Sequence, residues 1–132
     1  MQHQQYSDEL MYSHRHLWVR LDEDEQVADV GMTDALQEEL PEILGIDMPM
    51  VGDELEMDTE CLHLHLPDGT IYDLFAPLTG RVVEINRDVL DRPQLLHLAP
   101  MTNWMFRMEY DEPDEVEMLL EATRYGRYVD SL

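Results

Sequence analysis

The chain has 132 residues, 44% hydrophobic and 29% charged, which is enough for a single domain with an ordinary core. Thirty acidic residues against eight basic ones give a formal charge of -22, which repels nucleic-acid phosphates and anionic membranes and excludes both as direct partners. All eight cations are arginine and lysine is absent, so no side-chain amine is available for a Schiff base or an acyl linkage.

Residues 1–11 read as a flexible N-terminal segment and residues 12–132 as one domain. Met1 to Asp8 has neither a basic start nor an apolar stretch, and the longest apolar runs span only a few residues, so neither a signal peptide nor a membrane span is expected. With Cys61 as its single cysteine, the chain is expected in a reducing cytoplasm. His16 to Arg20 is apolar and aromatic, the acidic turn Asp22-Glu23-Asp24-Glu25 follows, and Gln26 to Met32 returns as the second arm of a hairpin. Thr33 offers an N-cap hydroxyl and Asp34 suits the positive end of a helix dipole. With Leu36 and Leu40 four apart and Pro41 closing the segment, a short helix is predicted.

Glu42 to Asp47 and Glu54 to Met57, parted by a turn containing Pro49 and Gly52, are too short between breakers for helices and read as strands. Cys61 to Leu66 alternates strictly, Pro67-Asp68-Gly69 follows, and Thr70 to Phe75 returns, a hairpin whose Asp-Gly pair supplies the positive φ of a tight turn. After the turn Ala76 to Gly80, Arg81 to Asn86 is a β-branched strand. Met50–Leu55 and Leu78–Val83 are faintly alike, the mark of a two-fold β repeat. Asn103 to Tyr110 alternates as a strand, and Pro113 stands where the first turn of a helix accepts it, with Val116, Leu119, Leu120 and Tyr125 continuing at helical spacing. Trp18 and Trp104 are expected to anchor the core, and His14, His16 and His97 to be surface or capping residues. Many short strands with Gly/Pro turns predict a mainly β fold, a sandwich or flattened barrel with short peripheral and C-terminal helices.

Strand side chains repeat with period two, so Cys61, His63 and His65 are expected on one face and Leu62, Leu64 and Leu66 on the other. Three such donors could hold zinc or copper, with Asp73 or Glu60 as a fourth. Neighbours at i and i+2 stand about 6.5 to 7 Å apart along a strand, so the end members need bending to share one ion. The plainer reading is an exposed polar face beside an ordinary buried cysteine. No Gly-rich phosphate loop, Ser-His-Asp spacing or His-Glu-x-x-His helix occurs, and no catalysis is expected.

Seven segments in order carry a family likeness: His16 to Arg20, Val30 to Gln37, Leu55 to Cys61, Asp73 to Asn86, Asp91 to Leu96, Trp104 to Phe106, and Leu119 to Tyr125. From about Tyr12 to about Tyr128 the chain resembles the H-protein of the glycine cleavage system, a lipoyl/biotinyl-carrier-like sandwich, or barrel-sandwich hybrid. The resemblance implies a lipoate amide-linked to a hairpin-tip lysine, four residues before an Asp-Leu-Tyr-Ala-Pro signature, and an aminomethyl group shuttled between partner enzymes. Here that position is Gly69 counted back from Asp73, or Asp68 counted forward from Cys61, and neither can be acylated. The Glu-Ser-Val run that precedes the lysine in the family is replaced by His65-Leu66-Pro67.

A covalent lipoyl shuttle is therefore not expected, although the scaffold motifs persist. The expected role is a non-lipoylated binding, scaffold or regulatory subunit for a protein partner in glycine cleavage or another lipoate-dependent pathway, docking through His65, Pro67, Asp68, Gly69 and Asp73. From Leu21 to Gly80 there are seventeen Asp or Glu and no Arg or Lys, a field that steers basic surfaces. An acidic, lysine-free surface also suits a salt-rich cytoplasm that screens self-repulsion. The alternative role is a metal-binding or redox-responsive module built on Cys61, His63 and His65.

Overall fold

A computed structural model describes residues 6–132. Two open antiparallel sheets face each other, and no closed barrel forms. The larger runs β1 (Met11–Tyr12)-β2-β3-β9-β8-β5 and the smaller β4-β6-β7. The first hairpin is β2 (Leu17–Asp22) with β3 (Val27–Met32), joined by the acidic turn. Strands β8 (Gly80–Ile85) and β9 (Phe106–Tyr110) extend that sheet, and β5 (Glu54–Leu55) closes its edge. The smaller sheet is built from β4 (Gly45–Asp47), β6 (Glu60–His65) and β7 (Ile71–Phe75). The segments expected as a repeat lie side by side: Leu55 opposes Gly80, and the Gly52 amide donates to the Val82 carbonyl at 2.8 Å.

Alternation in β2 is expressed as two cores rather than one core and solvent. Leu17 and Val19 join the main apolar cluster, which takes Val30, Met108 and Val82 from the larger sheet and Leu62, Leu64 and Leu74 from the smaller. Trp18 points the other way, into a second cluster with Leu10, Tyr12, Ala122 and Tyr125, and its indole donates to the Pro100 carbonyl at 2.9 Å. Trp104 packs against that second cluster only half-buried, with the Arg107 guanidinium 4.6 Å from its ring, so it is a partial anchor.

Helix α1 (Asp34–Glu39) starts as its sequence dictates, with the Thr33 hydroxyl accepting from the Leu36 amide. Two further helices, α2 (Arg87–Asp91) and α3 (Leu95–Leu98), are too short to show a helical period in the sequence. Strand β9 begins at Phe106 rather than Asn103, because the Asn103 side-chain amide donates to the Leu95 and Ala99 carbonyls and holds that residue at the end of α3. The C-terminal helical pattern is also divided. A 3₁₀ turn spans Pro113–Met118 and α4 spans Ala122–Asp130, since Tyr12 and Leu120 exchange backbone bonds of 2.8 and 2.6 Å that hold the chain extended between them.

The boundary expected at residue 12 moves toward the N-terminus. Strand β1 begins at Met11, Leu10 is buried, and the Tyr6 ring packs edge-on against Tyr12 and Tyr125 at 5.4 and 4.8 Å. The rest of the expected flexible segment, residues 1–5, lies outside the described residues. No helix among the described residues is long and apolar enough to cross a membrane.

Candidate functional site

The hairpin β6–β7 forms as its alternation requires. Leu62, Leu64 and Leu74 are buried in the main core, which leaves the tip projecting. The turn closes through Leu66 N to Thr70 O at 3.0 Å and Gly69 N to Leu66 O at 3.1 Å, with Gly69 at φ +86, the left-handed region that favours glycine. The Asp68 carboxylate accepts from the Thr70 amide at 2.9 Å, and hydrogen bonding from the Thr70 side chain and amide holds its carboxyl below the ordinary range. Pro67, Asp68, Gly69 and Thr70 are all exposed. Two exposed apolar side chains stand at the base of the tip: the Leu44 amide donates to the His65 carbonyl at 2.8 Å, and Ile71 is paired directly opposite His65.

The metal set expected from the sequence is not brought together. The register runs Glu60 opposite Phe75 and then Leu62 opposite Leu74, so Cys61 is the extra residue of a β-bulge. Its side chain packs against the main core, and burial pushes the thiol up to about 12. His63 and His65 part company as well: His63 Nδ1 lies 2.7 Å from Asp73 Oδ1, and His65 Nε2 lies 2.8 Å from Asp47 Oδ2. The bulge turns Glu60 toward His63, and the donor atoms of Glu60, His63 and Asp73 all lie within 4.8 Å of one another. Among the described residues this is the one such group of His, Cys, Asp and Glu. Asp47 carries no sequence signal for this neighbourhood, since only the pairing of β4 on β6 delivers it.

A thiol held protonated by burial is a poor nucleophile at neutral pH. Cys61 is therefore expected to resist iodoacetamide in the native protein at pH 7.5 and to react rapidly in denaturant, read by mass spectrometry. Fast native alkylation would contradict this placement. Because the unfolded thiol ionises first, Cys61 also removes stability as pH rises above the ordinary thiol range toward about 12.

The remaining histidines divide. His97 caps, its Nε2 accepting from the Ile43 amide at 3.1 Å. His14 lies at the surface, edge-on to Tyr128. His16 is half-buried rather than fully at the surface: its Nδ1 is 2.7 Å from the Tyr125 hydroxyl, which is 2.7 Å from Thr33 Oγ1, and burial pushes its imidazole below the ordinary range. That network ties α4 to the start of α1 on the face opposite the main core.

Comparison with known proteins agrees with this architecture. The glycine cleavage H-protein family model matches residues 10–132. A glycine cleavage system H protein from Psychrobacter sp. is 39% identical over 118 residues, 89% of this chain and 92% of that one. The corresponding protein of Halalkalibacterium halodurans is 35% identical over 123 residues, 92% of this chain and 94% of its own length. The fold matches the crystal structure of a glycine cleavage system H protein from Mycobacterium marinum, with a TM-score of 0.78 over 96% of this chain and 98% of that one at 22% identity. A match running from the strand that opens the larger sheet to the end of α4 leaves no element outside it, and the chain belongs to the glycine cleavage H-protein family.

Proposed function

We propose that the chain is a non-lipoylated H-protein-like subunit that docks on an enzyme of glycine cleavage, or of another lipoate-dependent pathway, and regulates or scaffolds it without carrying a group. One observation carries this reading: the hairpin with which an H-protein presents lipoate is complete and its tip exposed, while the chain contains no lysine to acylate. Asp68 and Gly69 occupy the attachment position, and a carboxylate and a hydrogen cannot form the amide. The docking surface comprises Pro67, Asp68 and Gly69 with His65 and Asp73 on the strands below, and the exposed Leu44 and Ile71 give it apolar contact area. The alternative module of Cys61, His63 and His65 is set aside, because the bulge commits the thiol to the core.

Seventeen carboxylates between Leu21 and Gly80, with no cation among them, favour a basic partner surface. Long-range fields of this kind act on encounter more than on dissociation. In competition with a lipoylated H-protein for each glycine cleavage enzyme, the association rate is expected to fall roughly tenfold between about 0.02 and 0.3 M salt, with dissociation nearly unchanged. Absence of competition at every salt concentration would remove this reading.

A further inference from the structure

We propose that Glu60, His63 and Asp73 form a divalent transition-metal site of the zinc class on the β6–β7 hairpin. This does not depend on the docking role. Two features of the fold assemble the donors. The antiparallel register sets His63 directly opposite Asp73, and the bulge at Cys61 replaces the expected thiol with the Glu60 carboxylate. A shared tetrahedral ion at about 2.0 to 2.2 Å from each donor requires donor separations of about 3.3 Å. With the donors already within 4.8 Å, side-chain rotations suffice: Glu60, which is exposed, swings in, and His63 and Asp73 open from their 2.7 Å hydrogen bond. His63 Nδ1 and Asp73 Oδ1 are joined at 2.7 Å, and the ion takes the place between them that a hydrogen-bonding proton occupies in the free protein.

The donor chemistry selects the metal class. One imidazole nitrogen with two carboxylate oxygens is a borderline set that suits Zn²⁺ and its neighbours, whereas Mg²⁺ and Ca²⁺ prefer all-oxygen shells. Water fills the remaining positions, because Glu60 is exposed and the other two residues are only half-buried. Asp47, beside His63 on the next strand and held by His65, adds negative charge to the surroundings, and the Arg15 guanidinium, 4.2 Å over the Phe75 ring that is paired opposite Glu60, offsets part of it.

The test is titration of the chelator-stripped full chain with zinc chloride in excess Mg²⁺, which saturates diffuse carboxylate binding. It is followed by calorimetry and by NMR of the histidine rings. A single zinc equivalent that Mg²⁺ does not displace is expected, with the His63 ring signals shifting most. His63→Gln and Asp73→Asn should each weaken binding tenfold or more, and Cys61→Ser should leave it unchanged. Unchanged affinity in a folded His63→Gln, or full displacement of zinc by Mg²⁺, would overturn the proposal. So would wild-type His63 ring signals that ignore zinc, a readout independent of whether any variant folds.

Discussion

Incubated with a lipoyl ligase, ATP and lipoate, the wild-type chain is expected to gain no lipoyl group, whereas Asp68→Lys gains one. The difference is all-or-none because amide formation needs an amine and the sequence has none apart from the chain's N-terminus. Position 68 is the one to restore. Gly69 adopts φ +86, where a lysine would be strained, while Asp68 lies outside the left-handed region and projects fully into solvent. The substitution gives up the bond from the Thr70 amide but leaves the backbone closure of the turn through Leu66, Gly69 and Thr70 intact. Intact-mass spectrometry reads the outcome. Modification of the wild type would sink the non-lipoylated reading. A folded Asp68→Lys that stays unmodified would show that the attachment position is wrongly assigned.

The largest expected loss of stability comes from Gly80→Ala. A Cβ built at Gly80 would lie 1.8 Å from the Glu109 carbonyl oxygen and 2.8 Å from the Tyr110 Cα. These are backbone atoms of β9, which is fixed between β3 and β8 and has no side chain to rotate away. We expect a cost of roughly 4 kcal/mol or more, and a fall in Tm on the order of 15 °C. Gly45→Ala is the matched control: its Cβ would meet His65 at 3.8 Å, an ordinary contact, and its effect is expected to stay within about 0.5 kcal/mol. Urea unfolding of the two variants decides the matter, and equal midpoints would show that the close approach of β8 to β9 is not a constraint.

Gly80 also shows why a short motif can be read without coordinates. It closes the run from Asp73 to Gly80, in which one strand ends, a turn follows and the next strand begins against a neighbouring backbone. The other legible features are equally local. Alternation over Cys61 to Leu66 predicts the inward leucines, Asp68-Gly69 predicts the turn, and Thr33 predicts the start of α1; each depends on residues a few positions apart. Expectations that needed a distant partner fared differently. A continuous C-terminal helix was reasonable from the spacing of Val116, Leu119, Leu120 and Tyr125, yet Tyr12 claims the Leu120 backbone from more than a hundred residues away.

By itself the sequence determined that this carrier scaffold has no lysine at its hairpin tip or anywhere else, because that is a matter of counting side chains. It also determined the tip's turn and the buried leucines beneath it, because turn chemistry and strand alternation are short-range. Only the tertiary structure showed that within this pair it is Gly69, and not Asp68, that takes the positive φ, since φ is settled by how the turn closes. The grouping of Glu60, His63 and Asp73 was likewise beyond the sequence. A bulge is a mismatch between two strands, and neither strand alone records that Cys61 yields its place on the outer face to Glu60.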